Sequence, residues 1–305
     1  MTPMIGIEHP IKRILEAHSA WIADPETGQR ANLTGHTLNE VNLSSSNLKK
    51  AILSRATFLD SNLSRSDLSG AVMDKADLQR ANLADSDMTG ATLSEADFSG
   101  AFMKSANLSE VSGNKVNFRQ TQLEKARIMD ASFQNSCFHR AMASECGFHQ
   151  SRLYECDFRD SELNEAQFFH ARLQHVHLNA CQARAVNFGG SKIDHCDFTR
   201  ADLSSAKFGK AELIQCTFRH TQMNECDFRD ARLRGGDFGN AVLSGARFGG
   251  SQLLMVDFRG ADLKGARDLT QEQLMQSMTD AATILPNGKH GPYMRFSGAE
   301  KPKLS

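Results

Sequence analysis

From Ala31 to Gly265 the chain repeats one pattern every five residues: a small residue, a polar one, a large apolar one, then two that are mostly polar or glycine. The register holds for 47 consecutive pentapeptides without an insertion or deletion. The third position is Leu, Phe, Met or Ile in 44 of them, with Gly113, Ala143 and Ala183 as the exceptions. The first position is Ala, Ser, Thr, Val, Cys or Gly in every row but the one that starts at His36. Residues two apart point to the same face of an extended segment, so the small and the large residue share a face. The two residues that follow are where a chain turns. A helix is excluded, because a period of five would carry the large residues all round a 3.6-residue screw. So short a unit cannot bury its apolar face alone, and the pattern predicts sides that wind into stacked coils around one continuous core.

The phenylalanines set the number of sides. Phe138, Phe148, Phe158, Phe168, Phe188, Phe198, Phe208, Phe218, Phe228, Phe238, Phe248 and Phe258 recur every ten residues, interrupted once by Leu178, and the interleaved third positions from Ala143 to Leu263 carry no Phe. With four sides of five residues each side stacks on the one 20 residues later, and Phe and Leu separate into pure columns on alternating sides. Three sides would mix them in every column. An even-sided coil is therefore predicted, with two Phe columns facing each other across the axis. Gly113, Ala143 and Ala183 threaten voids in that core. Phe133, the one Phe in its column, lies across from Ala143 and directly above Gly113, and is expected to fill both deficits. Ala183 has no such partner, which leaves a small cavity or a local backbone adjustment.

Units such as Ala81-Asn82-Leu83, Ala201-Asp202-Leu203 and Cys226-Asp227-Phe228 resemble those of the pentapeptide repeat family, over about three quarters of the chain. The resemblance implies an all-β solenoid, a right-handed quadrilateral β-helix with the central and small residues inside and the other three outside. About 12 coils at a strand spacing of roughly 4.8 Å give a rod on the order of 56 Å long.

The flanks break the pattern and divide the chain into 1–30, 31–267 and 268–305. Between Pro10 and Ile22, residues Ile11, Ile14, Leu15, His18, Trp21 and Ile22 fall at helical spacing, which predicts an N-terminal helical cap over an edge that would otherwise recruit other chains. Thr270 and Gln273 stand in capping-box positions of a C-terminal helix expected to run to about Thr279. The tail from Ile284 reads as extended and then flexible. Leu254 and Met255 point outward in the last complete coil, and with Leu274 and Met278 form an expected interface, covered by the C-terminal helix or by a second subunit. Relatives in the family pair rods through their C-terminal ends, so the resemblance implies a homodimer.

Charge and composition then narrow the function. Lys and Arg number 35 against 36 Asp and Glu, a net charge of −1. The balance is kept along the rod: residues 31–120 carry 9 basic and 10 acidic groups, 121–200 carry 9 and 10, and 201–268 carry 10 and 9. Neither a nucleic-acid partner nor a DNA-like acidic surface follows from such a balance. The N-terminus has no signal-peptide h-region, no run approaches the length of a membrane span, and seven cysteines without a CxxC pair fit a reduced compartment; a cytoplasmic protein without a membrane partner is expected.

Candidate chemistry is sparse. His175 and His195 occupy the same outward position on adjacent coils, with Glu155 one coil below and Asp194 beside His195. Side chains on one flat face project in parallel while metal ligands must converge, so a solvated polar ladder is the expected reading and divalent-metal binding the alternative. Six cysteines fall at inward positions as small hydrophobes, and only Cys137 points outward. No P-loop, dinucleotide fingerprint or nucleophile elbow occurs, so no catalytic residue, cofactor or small-molecule substrate is expected. The sequence thus reads as a non-enzymatic, rigid scaffold or protein-protein interaction module with an unknown protein partner. Two alternatives come from the resemblance: a DNA-mimicking protein that binds topoisomerase (gyrase) and protects against quinolones, and a secreted effector.

Overall fold

The computed structural model describes residues 8–302; the first seven residues of the expected cap and residues 303–305 of the expected tail lie outside it. Helix α1 (Glu8–Ala23) leads into the coils, whose sides stack in parallel on the sides 20 residues later, from the bridge Asn32↔Ile52 to Arg247↔Arg267. One side of the later coils is built as three-residue strands: β1 (Ser112–Asn114), β2 (Ser132–Gln134), β3 (Arg152–Tyr154), β4 (Arg172–Gln174), β5 (Lys192–Asp194), β6 (Glu212–Ile214), β7 (Arg232–Arg234) and β8 (Gln252–Leu254). They form one parallel sheet in sequential order. Every other side meets its neighbours through a single bridging residue. The expected quadrilateral β-helix of pentapeptide repeats is thus present, with regular strands on eight of its coils and on one face only. Helix α2 (Gln271–Met275) follows the last coil.

Backbone bookkeeping explains the repeat. In the side that starts at Ala76, the Ala76 N–H closes the preceding corner on Met73 O (3.0 Å). The Leu78 and Arg80 N–H groups donate to Asp97 O and Ser99 O of the next coil, and the Asp77 N–H donates to Ala56 O of the previous one. The fourth N–H, on Gln79, is taken by the Asp77 carboxylate at 3.0 Å. All five donors are satisfied, as a buried backbone demands. The Asn or Asp so common at the second position is there because its short side chain reaches the backbone two residues on. The same bond recurs at Asn62, Asp97, Asp197 and Asp227.

The fifth residue of every repeat from Gly35 to Gly265 is left-handed, with φ between +47° (Gln215) and +73° (Gly245). Most of these residues are not glycine. None is Val, Ile or Thr, the types for which positive φ is most costly.

The interior is as narrow and dry as the pattern predicts. All 16 third-position Phe residues are fully buried. Within a column the rings stack, as at Phe138–Phe158 (centroids 4.4 Å, planes 3° apart) and Phe148–Phe168 (4.5 Å, 1°). Across the axis the two columns meet edge to face, as at Phe208–Phe218 (6.1 Å, 86°), the geometry the ring quadrupole favours. Phe133 stands edge-on to Phe118 and Phe138. Its ring lies 3.4 Å from where a Gly113 β-carbon would be, and Val116 Cγ2 lies 2.4 Å from the same point. The Gly113 deficit is therefore shared by Phe133 and Val116. Ala183 is followed at the same three-residue interval by Val186, and both are fully buried.

Both ends are covered. Ile11 and His18 of α1 are buried, with Ile14 and Leu15 packed on the core. His18 Nδ1 accepts the Ala31 N–H at 3.0 Å, and its ring stacks on Trp21. Gly28 passes against the helix, where any β-carbon would sit 2.0 Å from Trp21 N. At the other end the capping box of Thr270 and Gln273 forms as expected, but α2 stops at Met275 and not near Thr279. The chain leaves the helix because Met278 pairs with Asp257 of the last coil, its N–H donating to Val256 O and its carbonyl accepting from Phe258. Ile284 then bridges Asp262, so the cap imitates one more coil. Gln273 Nε2 and Thr283 Oγ1 donate to Ser251 O and Phe258 O, satisfying end carbonyls. The described tail is folded and not loose: Leu285, Tyr293, Ala299 and Glu300 are buried, and Tyr293 OH donates to Glu300.

Candidate functional site

The rod offers four outer sides, and the strand side differs from the rest. On β1–β8 the second and fourth residues face outward from an extended backbone, two residues and so about 6.6 Å apart. The second-position column from β3 onward reads Arg152, Arg172, Lys192, Glu212, Arg232, Gln252, and the fourth-position column reads Tyr154, Gln174, Asp194, Ile214, Arg234, Leu254. Two shallow depressions, of about 340 and 180 Å³, lie end to end on this side. Arg172, Lys192 and Asp194 line the first, and Arg232, Arg234 and Leu254 the second; Glu212 and Ile214 line both.

At the edge of the same side, the His175 and His195 rings stand at coil spacing (centroids 5.1 Å, tilted 34°). They are brought together, but the third ligand is not. Glu155 lies against the Tyr154 hydroxyl, raising its pKa, and the Tyr154 ring meets the edge of His175. His195 Nδ1 is bonded to Asp194 Oδ1 at 2.6 Å. Among the described residues no group of three or more His, Cys, Asp or Glu side chains is placed to hold a metal ion.

Cys146, Cys156, Cys181, Cys196, Cys216 and Cys226 are buried, and Cys137 is half-exposed. Burial pushes the Cys156, Cys181 and Cys216 thiols up to about 12, and those of Cys146, Cys196 and Cys226 also rise. They stay protonated and unreactive. A third depression, near the C-terminal end, is lined by Arg219, Asp257, Arg259 and Asp280. Its arginines are already committed, Arg219 to Asp237 and Arg259 to Asp257. The Arg259 bonds hold the Asp257 carboxyl below its usual range.

The expected C-terminal interface is only partly available. Leu254 (48% exposed), Met255 (56%) and Met278 (46%) are open to solvent, so α2 does not cover the first two. Leu274, on the inner face of α2, is fully buried and cannot belong to an outer surface. Met275 of α2 is exposed in its place, because a five-residue helix packed through Leu274 turns the next residue outward. Among the described residues no helix is long and apolar enough to cross a membrane.

Sequence reasoning overlooked the strand side as a distinct surface. The signal was present in its second-position column, which changes from Asn32, Ile52, Val72 and Thr92 to a run of charged residues from Arg152.

Two family models match the sequence. One, described as pentapeptide repeat region, covers residues 191–267; the other, pentapeptide repeats (8 copies), covers 29–58, 61–100, 91–128 and 161–200. Together they span about two thirds of the chain. No curated relative matches. Among solved structures, the chain is similar to HetL, a pentapeptide repeat protein involved in heterocyst differentiation regulation from the cyanobacterium Nostoc (24% identity, 90% of this chain and 97% of that one, TM-score 0.30). It is also similar to a pentapeptide repeat protein from the Arabidopsis thaliana thylakoid lumen (25%, 38% and 74%, 0.28). A third is QnrB1, a plasmid-mediated fluoroquinolone resistance protein (19%, 55% and 93%, 0.26).

Proposed function

Taking as premise that this chain belongs to the pentapeptide repeat family, we propose that it acts as a non-enzymatic, rigid scaffold that binds another protein along its side. The observation that supports this most is the strand side: eight coils of extended backbone present outward side chains on a fixed lattice, backed by a core of stacked rings. A rigid surface loses little conformational freedom on binding, which favours recognition by a scaffold. The buried cysteines are inert, and the imidazoles lack a converging third ligand, so no side-chain cluster on the rod competes with this reading. The protein works in the cytoplasm, and a second copy pairs with it at the C-terminal end through Leu254, Met255, Met275 and Met278. Light scattering that finds only monomer at working concentration rejects that pairing.

A photo-reactive amino acid placed singly at Gln174 on the strand side and at Asn164, Arg119 and Gly209 on the other three sides tests the scaffold reading in the producing cell. A discrete protein adduct from at least one side is expected; no adduct from any side rejects the reading. A DNA-mimicking role is not favoured, because basic and acidic groups balance in every third of the rod. Inhibition of gyrase supercoiling by the purified protein at micromolar concentration would restore it.

A further inference from the structure

We propose that the strand side from β3 to β8 docks an acidic, amphipathic segment of a partner protein laid along the rod axis. This deepens the scaffold reading and rests on it.

Four arginines on this side are left without internal partners. Arg152, Arg172 and Lys192 are direct register neighbours on three successive strands, so like charges repeat at coil spacing. Like charges directly opposite one another destabilise a sheet. Lys192 reaches Glu212 at 3.9 Å, while Arg152, Arg172, Arg232 and Arg234 make no ion pair among the described residues. Elsewhere on the rod several arginines are neutralised locally, as at Arg159–Asp157, Arg184–Asp202, Arg229–Asp227 and Arg259–Asp257, and second-position Arg127, Lys207, Arg247 and Arg267 do not stand as three basic neighbours in register. The strand side thus keeps three basic residues in direct register and two further unpaired arginines, Arg232 and Arg234, which an incoming row of carboxylates would relieve. Guanidinium forks match carboxylates in bidentate geometry, which suits Arg better than Lys to that task.

Beside the basic column, the fourth-position column carries three apolar residues interleaved with Gln174, Asp194 and Arg234. Tyr154 and Leu254 are exposed, and Ile214 lies between them where the two depressions meet. A ligand that satisfies both columns carries acidic residues along one edge and apolar residues along the other. Nucleic acid fits less well. Its sugar-phosphate backbone has nothing to bury against Tyr154, Ile214 and Leu254.

Fluorescence anisotropy with the full chain tests the proposal. The probes are a short fluorescein-labelled peptide of Glu and Leu residues, its Gln-for-Glu counterpart, and a short labelled DNA duplex. The Glu peptide is expected to bind tightest of the three, and more weakly as salt rises. The triple variant R152E/R172E/K192E should weaken it about tenfold or more. R152Q/R172Q/K192Q, which removes charge without reversing it, should give a smaller loss. The same number of reversals on the opposite side, K104E/K125E/K264E, should leave binding unchanged. Circular dichroism of each variant checks that the rod is intact, and the Gln variant carries the test if reversal unfolds it. The proposal is overturned if the Glu peptide does not bind, if the opposite-side variant loses as much, or if the duplex binds tighter. Protein adducts in the cell from other sides, with none at Gln174, would leave the scaffold reading standing and sink this one.

Discussion

Two stretches of one side of the rod, before and after Ser112, share a single hydrophobic register and differ in structure. In the earlier stretch each side ends in a closed corner, as where the Ala76 N–H donates to Met73 O and the Ala96 N–H to Leu93 O. In the later stretch that bond is missing, and three residues stay extended as β1–β8. The switch coincides with the residue that opens the next side. It is His36, Ala56, Ala76 and Ala96 in the early coils, and Val116, Ser136, Cys156, Val176, Cys196, Cys216, Gly236 and Val256 in the later ones. Several of these later residues serve the open corner directly. Ser136 Oγ donates to Gln134 O, and the thiols of Cys156, Cys196 and Cys216 donate to the carbonyls of Tyr154, Asp194 and Ile214. The large apolar residues decide what points inward, and on this side the residue at the head of the next side changes with the shape of the corner, whereas Cys146, Val186 and Cys226 head closed corners on other sides. Gly236 follows neither pattern.

The comparison can be broken first at the core. Phe188 stacks on Phe168 and Phe208 and meets Phe198 edge-on. Phe188→Ala is expected to cost about 3–5 kcal/mol in urea unfolding. Leu68→Ala, in the same column of the early coils, should cost less by the stacking contribution, about 0.5–1.5 kcal/mol. Equal losses would mean the ring columns add nothing beyond burial.

Next in size is the point where the strand side begins. A β-carbon at Gly113 would collide with Val116 Cγ2, so Gly113→Ala should lose about 1–3 kcal/mol. Adding Val116→Ala should recover part of it. A double variant no better than the single would detach Val116 from the Gly113 site.

The left-handed fifth position, common to both stretches, gives a smaller effect. Ala180 has φ +57°. Ala180→Val should lower stability by about 1–2 kcal/mol, whereas Ala180→Gly should be close to neutral. A harmless Val there would contradict the reading that positive φ excludes β-branched residues from this position.

The smallest effect is expected at the cap of the early coils. Burial lowers the His18 pKa; the Lys49 carbonyl opposes that and the Arg30 charge adds to it. A group whose folded pKa lies below its unfolded value stabilises the fold above the unfolded value of about 6.5, and that contribution is lost as pH falls towards the folded pKa. Protonating Nδ1 also removes the acceptor for Ala31 N–H. Trp21, the single tryptophan, stacks on His18 and should report opening of the cap as a fluorescence change below about pH 6.5. His18→Phe should abolish the transition; a transition that persists would place it elsewhere.

Much of this molecule was legible in its residues because burial enforces a strict period. The Phe columns, the Phe133 and Gly113 pairing and the Thr270 capping box follow from which side chains share a face. The fifth-position rule was equally visible, as the absence of Val, Ile and Thr at all 47 corners, but it only acquires meaning with the left-handed φ of those residues. The end of α2 was not legible, because Met278 leaves the helix to pair with a coil edge that no local pattern announces. Leu274 departs from its expected place at the interface for the same reason: its burial depends on how the cap lies over the last coil. The strand side went unrecognised because corner type depends on backbone bonds, while hydrophobic patterning reports only inside and outside.

The central claim is that one register builds a four-sided rod whose open-cornered side is the flat, extended one. Amide hydrogen exchange on the full chain tests it within single coils. Ala171, Ala201 and Ala206 close their corners on Phe168, Phe198 and Leu203, while the Val176, Cys196 and Cys216 amides have no carbonyl acceptor, and those of Val176 and Cys196 meet only the weakly accepting thiols of Cys196 and Cys216. All six residues are buried, so burial alone would protect them alike. The account predicts markedly faster exchange at Val176, Cys196 and Cys216 than at the three alanines. Equal protection across the six would mean that all corners are closed and that the strand side is not distinct.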